Sequence, residues 1–530
     1  MSPTSSPTTA AGEPDRVLHA APVVIRRAWL GIVIVGFLWL AFFNLTRFPA
    51  TWFDEGSHLH VPKTLVTLGK YADYSDGELR YFGPTVGVGP TVMLPVAAAF
   101  KLLGVGLLQA RLVMACYLLS AVAAFWLMAR RVGGTGLALL STFLLVTVPS
   151  ISVIESGREV LGEVPGLFFL CAGLGWWFAV WEKPTWPALM GASVLLALAC
   201  VTKHVYLISI GPGLVAAGFL DLIFYRRLPL RVFLVPLLAI GVLFGGWQVV
   251  LIAGLGPGTA SENFRLFQGA TRGAALVFSA ENMRRAIDEV VSLRAIAGWV
   301  PVALLYAGVR QWDRDEEAQR LGVLWWMAVA NLAWYVVASA GWPRYAFPGL
   351  SLSCVLVARL LSDVMPDRTW FRRSALAGRF NASPAAVAGI AVAVWVLGVS
   401  VAGLGRTAVR VAWAPSPTAE RMAAYLERHV PLDRVIHTWD PEMSVFSDHR
   451  YRFPPSQLLI VAVAHQWTGG PAVTESYDFE RGGAPEYVLE GPFSRYVKLY
   501  PRERLERDYR LVTSEGGYLL YARRTDVARF

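Results

Sequence analysis

Long runs of apolar residues occupy most of the chain before residue 405. The first run covers 28–45 and follows Arg26 and Arg27, with no small-residue cleavage signature after it. About 18 apolar residues suffice for a helix to cross a bilayer. Ten further runs fit this length: 110–129, 134–153, 164–181, 186–202, 205–224, 230–254, 294–310, 321–340, 346–362 and 385–404. The pattern therefore predicts an α-helical polytopic membrane protein with about eleven transmembrane helices.

One segment, from Pro90 to Gly104, is ambiguous because it is short and contains Lys101. If it crosses the membrane, Arg130 and Arg131 fall outside. If it stays at the surface, the basic loops fall inside, as the positive-inside rule favours. We adopt the second topology, whose inner loops carry Arg130/Arg131, Glu182/Lys183, Arg226/Arg227/Arg231, Arg310/Arg314/Arg320 and Arg368/Arg372/Arg373/Arg379.

This topology predicts a plasma (inner) membrane protein with a disordered cytoplasmic tail, residues 1–27, and a transmembrane domain, 28–404. The outer segments are then 46–109, 154–163, 203–204, 255–293, 341–345 and 405–530. The long first outer loop, 46–109, is rich in acidic and aromatic residues. We expect an interfacial helix there from about Gly56 to Leu68.

From residue 405 the sequence changes to a mixture of charged, aromatic and aliphatic residues, which predicts a small extracytoplasmic α/β domain, 405–530. Its first helix is expected from Pro417 to His429, with Thr418 as the N-cap. Four strands are expected, the last two joined by a Gly516-Gly517 turn: Arg434–Thr438, Tyr487–Leu489, Tyr509–Val512 and Tyr518–Ala522.

Composition excludes other classes of protein. Hydrophobic residues make up 55% of the chain and charged residues 16%, which is more apolar surface than one soluble core uses. The net charge is +10, and many of the Arg and Lys residues lie in loops between apolar runs. Basic residues in such loops orient a membrane protein, so we expect no nucleic-acid partner. The four cysteines all lie inside apolar runs and imply neither a disulfide framework nor a thiolate metal site.

Unusual charged residues fall at the predicted outer ends of the helices. Asp54 and Glu55 follow the first span, and two adjacent carboxylates at a membrane boundary are costly to desolvate. The others are Arg158, Glu163, Lys203 and Arg344, the last followed by Tyr345. Cations in a partly dry cavity can neutralise a lipid-linked phosphate, and a carboxylate can take a proton from an acceptor hydroxyl. This combination suits glycosyl transfer.

Structural roles remain open for the same residues. Asp54 and Glu55 could instead cap an interfacial helix, and Glu163 could begin one. Lys203 could be a snorkelling side chain, and Arg344 could form a structural ion pair. His58 and His60 lie near Asp54 and make a divalent metal conceivable, although residues two apart do not share a helix face.

The chain resembles the C-type (GT-C) membrane glycosyltransferases, especially the branch of the protein O-mannosyltransferases and the bacterial lipid A aminoarabinose transferase. The ordered motifs that carry the resemblance are Phe53-Asp54-Glu55, Gly89-Pro90 to Gly104 with Ala110-Arg111, Arg158 to Glu163-Val-Pro, Thr202-Lys203, and Arg344-Tyr345 with Pro348. They span residues 28 to about 362.

The resemblance implies an inverting transfer on the outer face, from a polyprenyl-phosphate-linked hexose or pentose donor to a lipid, glycan or protein hydroxyl. It implies Asp54 as the catalytic base, with Glu55 and Glu163 as further acidic residues of the site. The implied donor-phosphate contacts are Lys203, Arg344, Tyr345 and Arg158. Two positions depart from the aminoarabinose transferase branch: Gly89 stands where a basic residue precedes the proline, and Ser57 stands where an Arg lies soon after the acidic pair. The donor phosphate is therefore held differently, or the donor or acceptor differs.

The alternative is a transporter or flippase of a lipid-linked or anionic substrate, in which the same charges bind the cargo. Transporters place charged sites near the bilayer midplane, between paired repeats and broken helices. The sequence shows no internal repeat. An outer cavity would favour the transferase, and a midplane cavity the transporter.

Overall fold

The structure is a computed structural model that describes residue 28 and residues 31–80, 87–253, 275–365, 384–415, 418–481 and 483–524, with single positions between 258 and 272. The predicted tail 1–27 and the basic residues between 368 and 379 lie outside the described residues.

Helices occupy the predicted spans. Their bounds are Gly31–Phe42, Leu107–Thr147, Glu163–Val180, Trp186–Thr202, Val205–Leu220, Arg231–Ala253, Val300–Arg310, Glu316–Ala338, Phe347–Val364 and Pro384–Ala412. The helix Leu107–Thr147 departs from helical geometry at Gly133 and Gly134, so it contains two of the predicted spans. Within the described residues, 7 helices are long and apolar enough to cross a membrane. The protein is therefore a multi-pass, α-helical membrane protein, as predicted.

The helices form one bundle in which neighbours along the chain pack against each other. Leu107–Thr147 packs on Glu163–Val180, which in turn packs on Trp186–Thr202. The fully buried indole of Trp177 donates a hydrogen bond to the Val232 carbonyl at 3.0 Å. Burial of a large aromatic side chain with its polar atom satisfied stabilises this core.

The loops predicted to lie inside contact one another at one end of the bundle. Arg320 donates to the Arg131 carbonyl at 2.7 Å, and Arg227 donates to the Arg314 carbonyl at 2.6 Å. Arg131 lies about 30 Å along its helix from Arg111, at 1.5 Å per residue. Arg111 pairs with Glu55 at the opposite end, near the C-terminal domain. We call this opposite end the domain end.

The first outer loop contains a helix, Phe53–Leu68, which we call the site helix. It begins three residues earlier than the predicted Gly56, so Asp54 and Glu55 lie in its first turn. It ends at Gly69, whose φ of 68° is left-handed. A short antiparallel hairpin follows, β1 (Asp73–Ser75) and β2 (Glu78–Arg80), which the sequence did not predict. The ambiguous segment forms the helix Pro90–Leu103.

The C-terminal domain contains a five-stranded sheet of order β4-β3-β5-β7-β6. The strands are β3 (Val435–His437), β4 (Arg450–Arg452), β5 (Tyr487–Glu490), β6 (Tyr509–Glu515) and β7 (Tyr518–Arg523). β3 runs parallel to β4 and β5, whereas β5 and β6 each pair antiparallel with β7. The four predicted strands and the Gly516-Gly517 turn are confirmed, and β4 is an addition.

Two boundaries of this domain differ from the prediction. The last membrane helix, Pro384–Ala412, continues past residue 405 because its apolar residues persist to Ala412. The helix of the domain is Thr418–His429, so Thr418 lies within the helix rather than at its N-cap.

Candidate active site

Asp54 and Arg344 form an ion pair at the domain end. Asp54 comes from the first turn of the site helix, and Arg344 from the turn Pro343–Ala346 that precedes a membrane helix. The Arg344 guanidinium carbon lies 3.9 Å from the ring centroid of Trp342 and 5.5 Å from that of Trp52. Cation–π contacts with two rings hold the guanidinium in place.

Glu163 and Lys203 form a second ion pair. Glu163 begins the helix Glu163–Val180, and Lys203 follows directly after Trp186–Thr202. The two segments approach closely because Gly162 has no side chain: a Cβ there would lie 3.1 Å from the Lys203 Cβ. Glu163 is 1% exposed, and within the described residues its Oε2 has no hydrogen-bond partner. This carboxylate oxygen is free to accept from a ligand.

The two ion pairs belong to one site, because their charges act on each other. Burial raises the pKa of Asp54, but Arg344, His58 and Lys203 together lower it by more than burial raises it. The pKa of Asp54 therefore lies below its ordinary value. Asp54 is therefore ionised at neutral pH. An ionised carboxylate can accept a proton, and the two cations can bind an anion.

His58 lies one helical turn after Asp54. Its Nδ1 donates to the Val160 carbonyl at 2.8 Å, and burial lowers its pKa to about 4. A neutral ring that donates through Nδ1 leaves Nε2 as a hydrogen-bond acceptor. His58 is a residue of the site that the sequence suggested only as a possible metal ligand.

His60 lies apart from His58 and pairs with Asp73 at 2.5 Å. Within the part of the chain that the structure describes, no group of three His, Cys, Asp or Glu residues could hold a metal ion. Near Asp54 the carboxylates instead have cationic partners. The divalent metal near Asp54 stays a prediction, with no set of ligands among these residues to support it.

Glu55 was predicted among the catalytic residues as the neighbour of Asp54, and the structure gives it different partners from those of Asp54. Glu55 accepts two hydrogen bonds from Arg111, at 2.8 and 2.5 Å, and both side chains are 0% exposed. The Val160 amide also donates to Glu55 at 3.2 Å. Glu55 is thus buried in an ion pair on another face of the site helix, which favours a structural role for it.

Arg158 was predicted to contact the donor phosphate, and the structure gives its guanidinium backbone partners instead. Its guanidinium donates to the carbonyl oxygens of Phe48, Leu40 and Phe43 at 2.9, 2.5 and 2.6 Å. These carbonyls belong to the end of the first membrane helix and the chain after it, where such groups need partners. The side chain is fully buried and committed to this role.

Tyr345 lies beside Arg344, with its ring packed against Trp334 and Trp342 at centroid distances of 5.5 and 6.1 Å. Its carbonyl accepts from Asn331 at 3.1 Å. The ring contributes to the aromatic wall of the site. Phosphate binding by Tyr345 remains a prediction.

Gly89 explains one departure from the expected family pattern. A Cβ at this position would lie 1.9 Å from the Val201 carbonyl oxygen, so no larger residue fits. The Gly89 amide donates to the Thr202 carbonyl at 2.9 Å, and the Thr91 and Thr202 hydroxyls hydrogen-bond at 2.7 Å. The helix Pro90–Leu103 therefore docks by its backbone next to Lys203.

Comparison with solved structures finds similar folds. ArnT from Cupriavidus metallidurans bound to undecaprenyl phosphate is 15% identical, with a TM-score of 0.63 over 93% of this chain and 98% of that one. AglB from Archaeoglobus fulgidus, in complex with an inhibitory peptide and a dolichol-phosphate, is 13% identical, with a TM-score of 0.55 over 94% and 75%. ArnT is a lipid A aminoarabinose transferase and AglB an oligosaccharyltransferase, and both are GT-C glycosyltransferases.

The chain has the GT-C fold. The predicted resemblance is thereby confirmed for the fold. Structural similarity at 13–15% sequence identity shows the fold alone. No protein-family model matches the sequence, and no curated protein matches it either.

Reasoning from the sequence alone missed several residues that build this site. Trp52 donates to Glu159 at 3.0 Å and lies against Arg344. The ring of Trp342 makes the second cation–π contact with the Arg344 guanidinium. The available signal was an aromatic residue within two positions of a charged residue at a helix end. Arg111 was noted only as part of a motif, without its pairing to Glu55.

Proposed function

We propose that the protein is a membrane glycosyltransferase that moves a hexose or pentose from a polyprenyl-phosphate donor to a lipid, glycan or protein hydroxyl. The observation that carries this proposal is the pairing of Asp54 with Arg344 and of Glu163 with Lys203 at one end of a GT-C bundle. One side of the site supplies a base, and the other supplies fixed cations for phosphate.

In the proposed reaction, Lys203 and Arg344 bind the donor phosphate. When the phosphate engages Arg344, it competes with Asp54 for the same guanidinium and leaves the carboxylate able to act as base. Asp54 then takes the proton of the acceptor hydroxyl, whose oxygen bonds to the anomeric carbon from the face opposite the leaving group. The bond from that carbon to the phosphate oxygen breaks with inversion, and the two cations stabilise the polyprenyl phosphate that leaves.

Two structural neighbours support a lipid-linked donor, because ArnT is described with undecaprenyl phosphate and AglB with a dolichol-phosphate. The oligosaccharyltransferase from Archaeoglobus fulgidus is also described with a tethered acceptor peptide, which supports an acceptor that enters the same kind of fold. The basic loops at the opposite end favour a cytoplasmic position for that end, and hence an outer position for the site and the C-terminal domain. The proposed location is the plasma (inner) membrane, with the N-terminus in the cytoplasm.

A transporter or flippase remains the second candidate. The charged residues lie at helix ends at the domain end of the bundle, whereas transporters place such sites near the bilayer midplane. This position favours transfer over transport. A vesicle assay in which the purified protein moves a lipid-linked sugar across the bilayer without transferring it would favour the second candidate.

The central test is Asp54→Asn in the purified protein. We expect transfer from the donor to fall by about 10²–10⁴-fold, as for loss of a general base. Thermal unfolding in detergent should stay close to the wild type. Undecaprenyl phosphate should bind at least as tightly as to the wild type, because the phosphate no longer competes with the Asp54 carboxylate for Arg344. Full activity in a folded Asp54→Asn variant would refute the catalytic assignment.

Mass spectrometry of lipids and surface glycans from a deletion strain identifies the substrates. Accumulation of one polyprenyl-phosphate sugar with loss of one glycan decoration names the donor and the acceptor together. An unchanged profile would count against the transferase.

A further inference from the structure

One face of the site helix is turned toward the C-terminal domain. Four residues spaced three or four apart make the contacts: Phe53, Gly56, His60 and Lys63. Asp54 and His58, also four apart, lie on the face that meets Arg344 and Lys203. Residues at this spacing share one side of a helix. The helix therefore joins the candidate active site to the C-terminal domain.

Phe53 fills a crevice in that domain. β3 and β5 are neighbouring parallel strands, and the chain leaves their carboxyl ends in opposite directions, toward β4 on one side and toward β6 and β7 on the other. The crevice lies between these two connections. Open α/β sheets bind their ligands at such a point. Here the Phe53 ring stacks on Phe493, with centroids 3.6 Å apart, and meets the edge of Trp439 at 6.2 Å.

The walls of the crevice are held by a buried carboxylate. Asp440 follows β3 and accepts hydrogen bonds from the loop after β5: from the Gly491 and Phe493 amides at 3.0 and 2.8 Å and from the Ser494 hydroxyl at 2.5 Å. Asp440 is 0% exposed. These bonds fix the Phe493 ring relative to Trp439.

A second contact lies on the other side of Asp54 in the sequence. A Cβ at Gly56 would lie 2.3 Å from the Glu442 amide nitrogen and 2.5 Å from its Cα. Only glycine allows the backbone of the C-terminal domain to come so near the helix. The contacts at Phe53 and Gly56 therefore bracket Asp54.

We propose that Phe493 and Trp439 are positioning residues, which hold the first turn of the site helix through Phe53 and so direct the Asp54 carboxylate toward the reacting hydroxyl. The inference rests on the proposed function for its effect on catalysis. In this proposal the C-terminal domain positions a catalytic residue of the active site. A displacement of about 1 Å in such a group can cost about 10²-fold in rate.

The test compares Phe493→Ala with Phe493→Tyr and Lys63→Ala in the full-length protein. Lys63 contacts the same domain through the Ser444 carbonyl and Asp448, both at 2.7 Å, but lies more than two helical turns from Asp54. For Phe493→Ala we expect kcat to fall by about tenfold or more, with the KM for donor changed by less than about threefold. Phe493→Tyr keeps an aromatic ring against Phe53 and should have a kcat close to that of the wild type. Lys63→Ala should have a kcat within about twofold of the wild-type value. Unchanged kcat in Phe493→Ala would overturn the inference.

Gly56→Ala provides a second route to the same result if Phe493→Ala fails to fold. It displaces the domain from the helix without removing a side chain. The matched control is Gly36→Ala, where an added Cβ meets nothing within 4 Å. Loss of kcat in Gly56→Ala alone supports the inference, and equal kcat in both variants refutes it.

Hydrogen–deuterium exchange separates this inference from the proposed function. Residues 53–57 should exchange faster in Phe493→Ala than in Lys63→Ala. If the wild type shows no transfer but exchange changes as expected, the proposed function fails and the contact stands. If transfer is normal and exchange is equal in the two variants, the positioning inference fails alone.

Discussion

Arg111 holds Glu55 through two parallel hydrogen bonds, Nε to Oε1 at 2.8 Å and Nη2 to Oε2 at 2.5 Å. The remaining guanidinium nitrogen donates to the carbonyls of Leu45 and Pro49, each at 2.8 Å. A bidentate pair with all its groups satisfied can remain ionised in a protein interior. The pair fixes the site helix to the helix that begins at Leu107, while the neighbouring Asp54 faces the site.

Arg111→Met should lower the free energy of unfolding by about 3–5 kcal/mol, because it leaves the Glu55 carboxylate buried without a partner. The double variant Glu55→Leu/Arg111→Met should recover part of this loss, since no charge is then left unpaired. Thermal and denaturant unfolding of the purified proteins in detergent measure both. A fully stable Arg111→Met variant that has lost transfer would instead give the pair a catalytic role.

Arg158→Met should destabilise the protein without weakening donor binding. The change removes the donor from three carbonyls, of which those of Leu40 and Phe48 belong to buried residues. A buried carbonyl left unsatisfied costs about 1–3 kcal/mol. Lys203→Met is the comparison, because it removes a cation from the proposed phosphate site and should weaken undecaprenyl phosphate binding by about tenfold or more. Binding titrations of the folded variants decide the matter. Weakened binding in Arg158→Met with normal stability would restore the original prediction.

The pH dependence of transfer should report the state of Asp54. Burial raises the pKa of Asp54, but Arg344, His58 and Lys203 lower it to below 3.8 in the free protein. The basic form is present above this pKa and is lost as the pH falls through it. We therefore expect kcat/KM to stay level from about pH 7.5 to about pH 5.

Donor binding should move the acid limb of kcat, which reports the enzyme–substrate complex, to higher pH than that of kcat/KM. The reason is that the phosphate takes Arg344 from Asp54 and adds negative charge. Initial rates across the pH range, with donor below and above saturation, measure both limbs. Coincident limbs would argue against the exchange of Arg344 between Asp54 and phosphate.

Much of the architecture could be predicted because its physical cause is local. Apolar length predicts each membrane helix, and basic loops predict which ends come together. Lys203 and Arg344 could be placed at one end on the same grounds. Strands such as Tyr487–Glu490 follow from residue type and alternation.

The roles of Glu55 and Arg158 could not be predicted because they depend on partners far away in the sequence. Glu55 and Asp54 are adjacent and chemically alike, but a helix turns adjacent residues by about 100° onto different faces. One therefore meets Arg111 in the interior and the other meets Arg344. β4 was missed because its sequence, Arg450-Tyr-Arg452, has too little pattern to distinguish a strand from a loop.

Glu442 should make stability depend on pH. Its side chain is 1% exposed against the site helix, accepts a hydrogen bond from the Tyr518 hydroxyl at 2.7 Å, and has no partner for Oε2 among the described residues. Burial, followed by the nearby Asp440, raises its pKa to about 8 from 4.5. Between these values the folded protein keeps the proton that the unfolded chain releases, so stability falls as the pH rises.

Glu442→Gln should remove this dependence, since the amide cannot ionise and its oxygen can still accept from Tyr518. We expect the variant to unfold at a higher temperature than the wild type at about pH 8, with the difference nearly gone at about pH 5, near the pKa of the unfolded side chain. Melting temperatures of the full-length proteins across this range provide the measurement. A difference that is constant with pH would mean that Glu442 keeps the same charge in the folded and unfolded chain, and the cause would then lie in packing against Gly56.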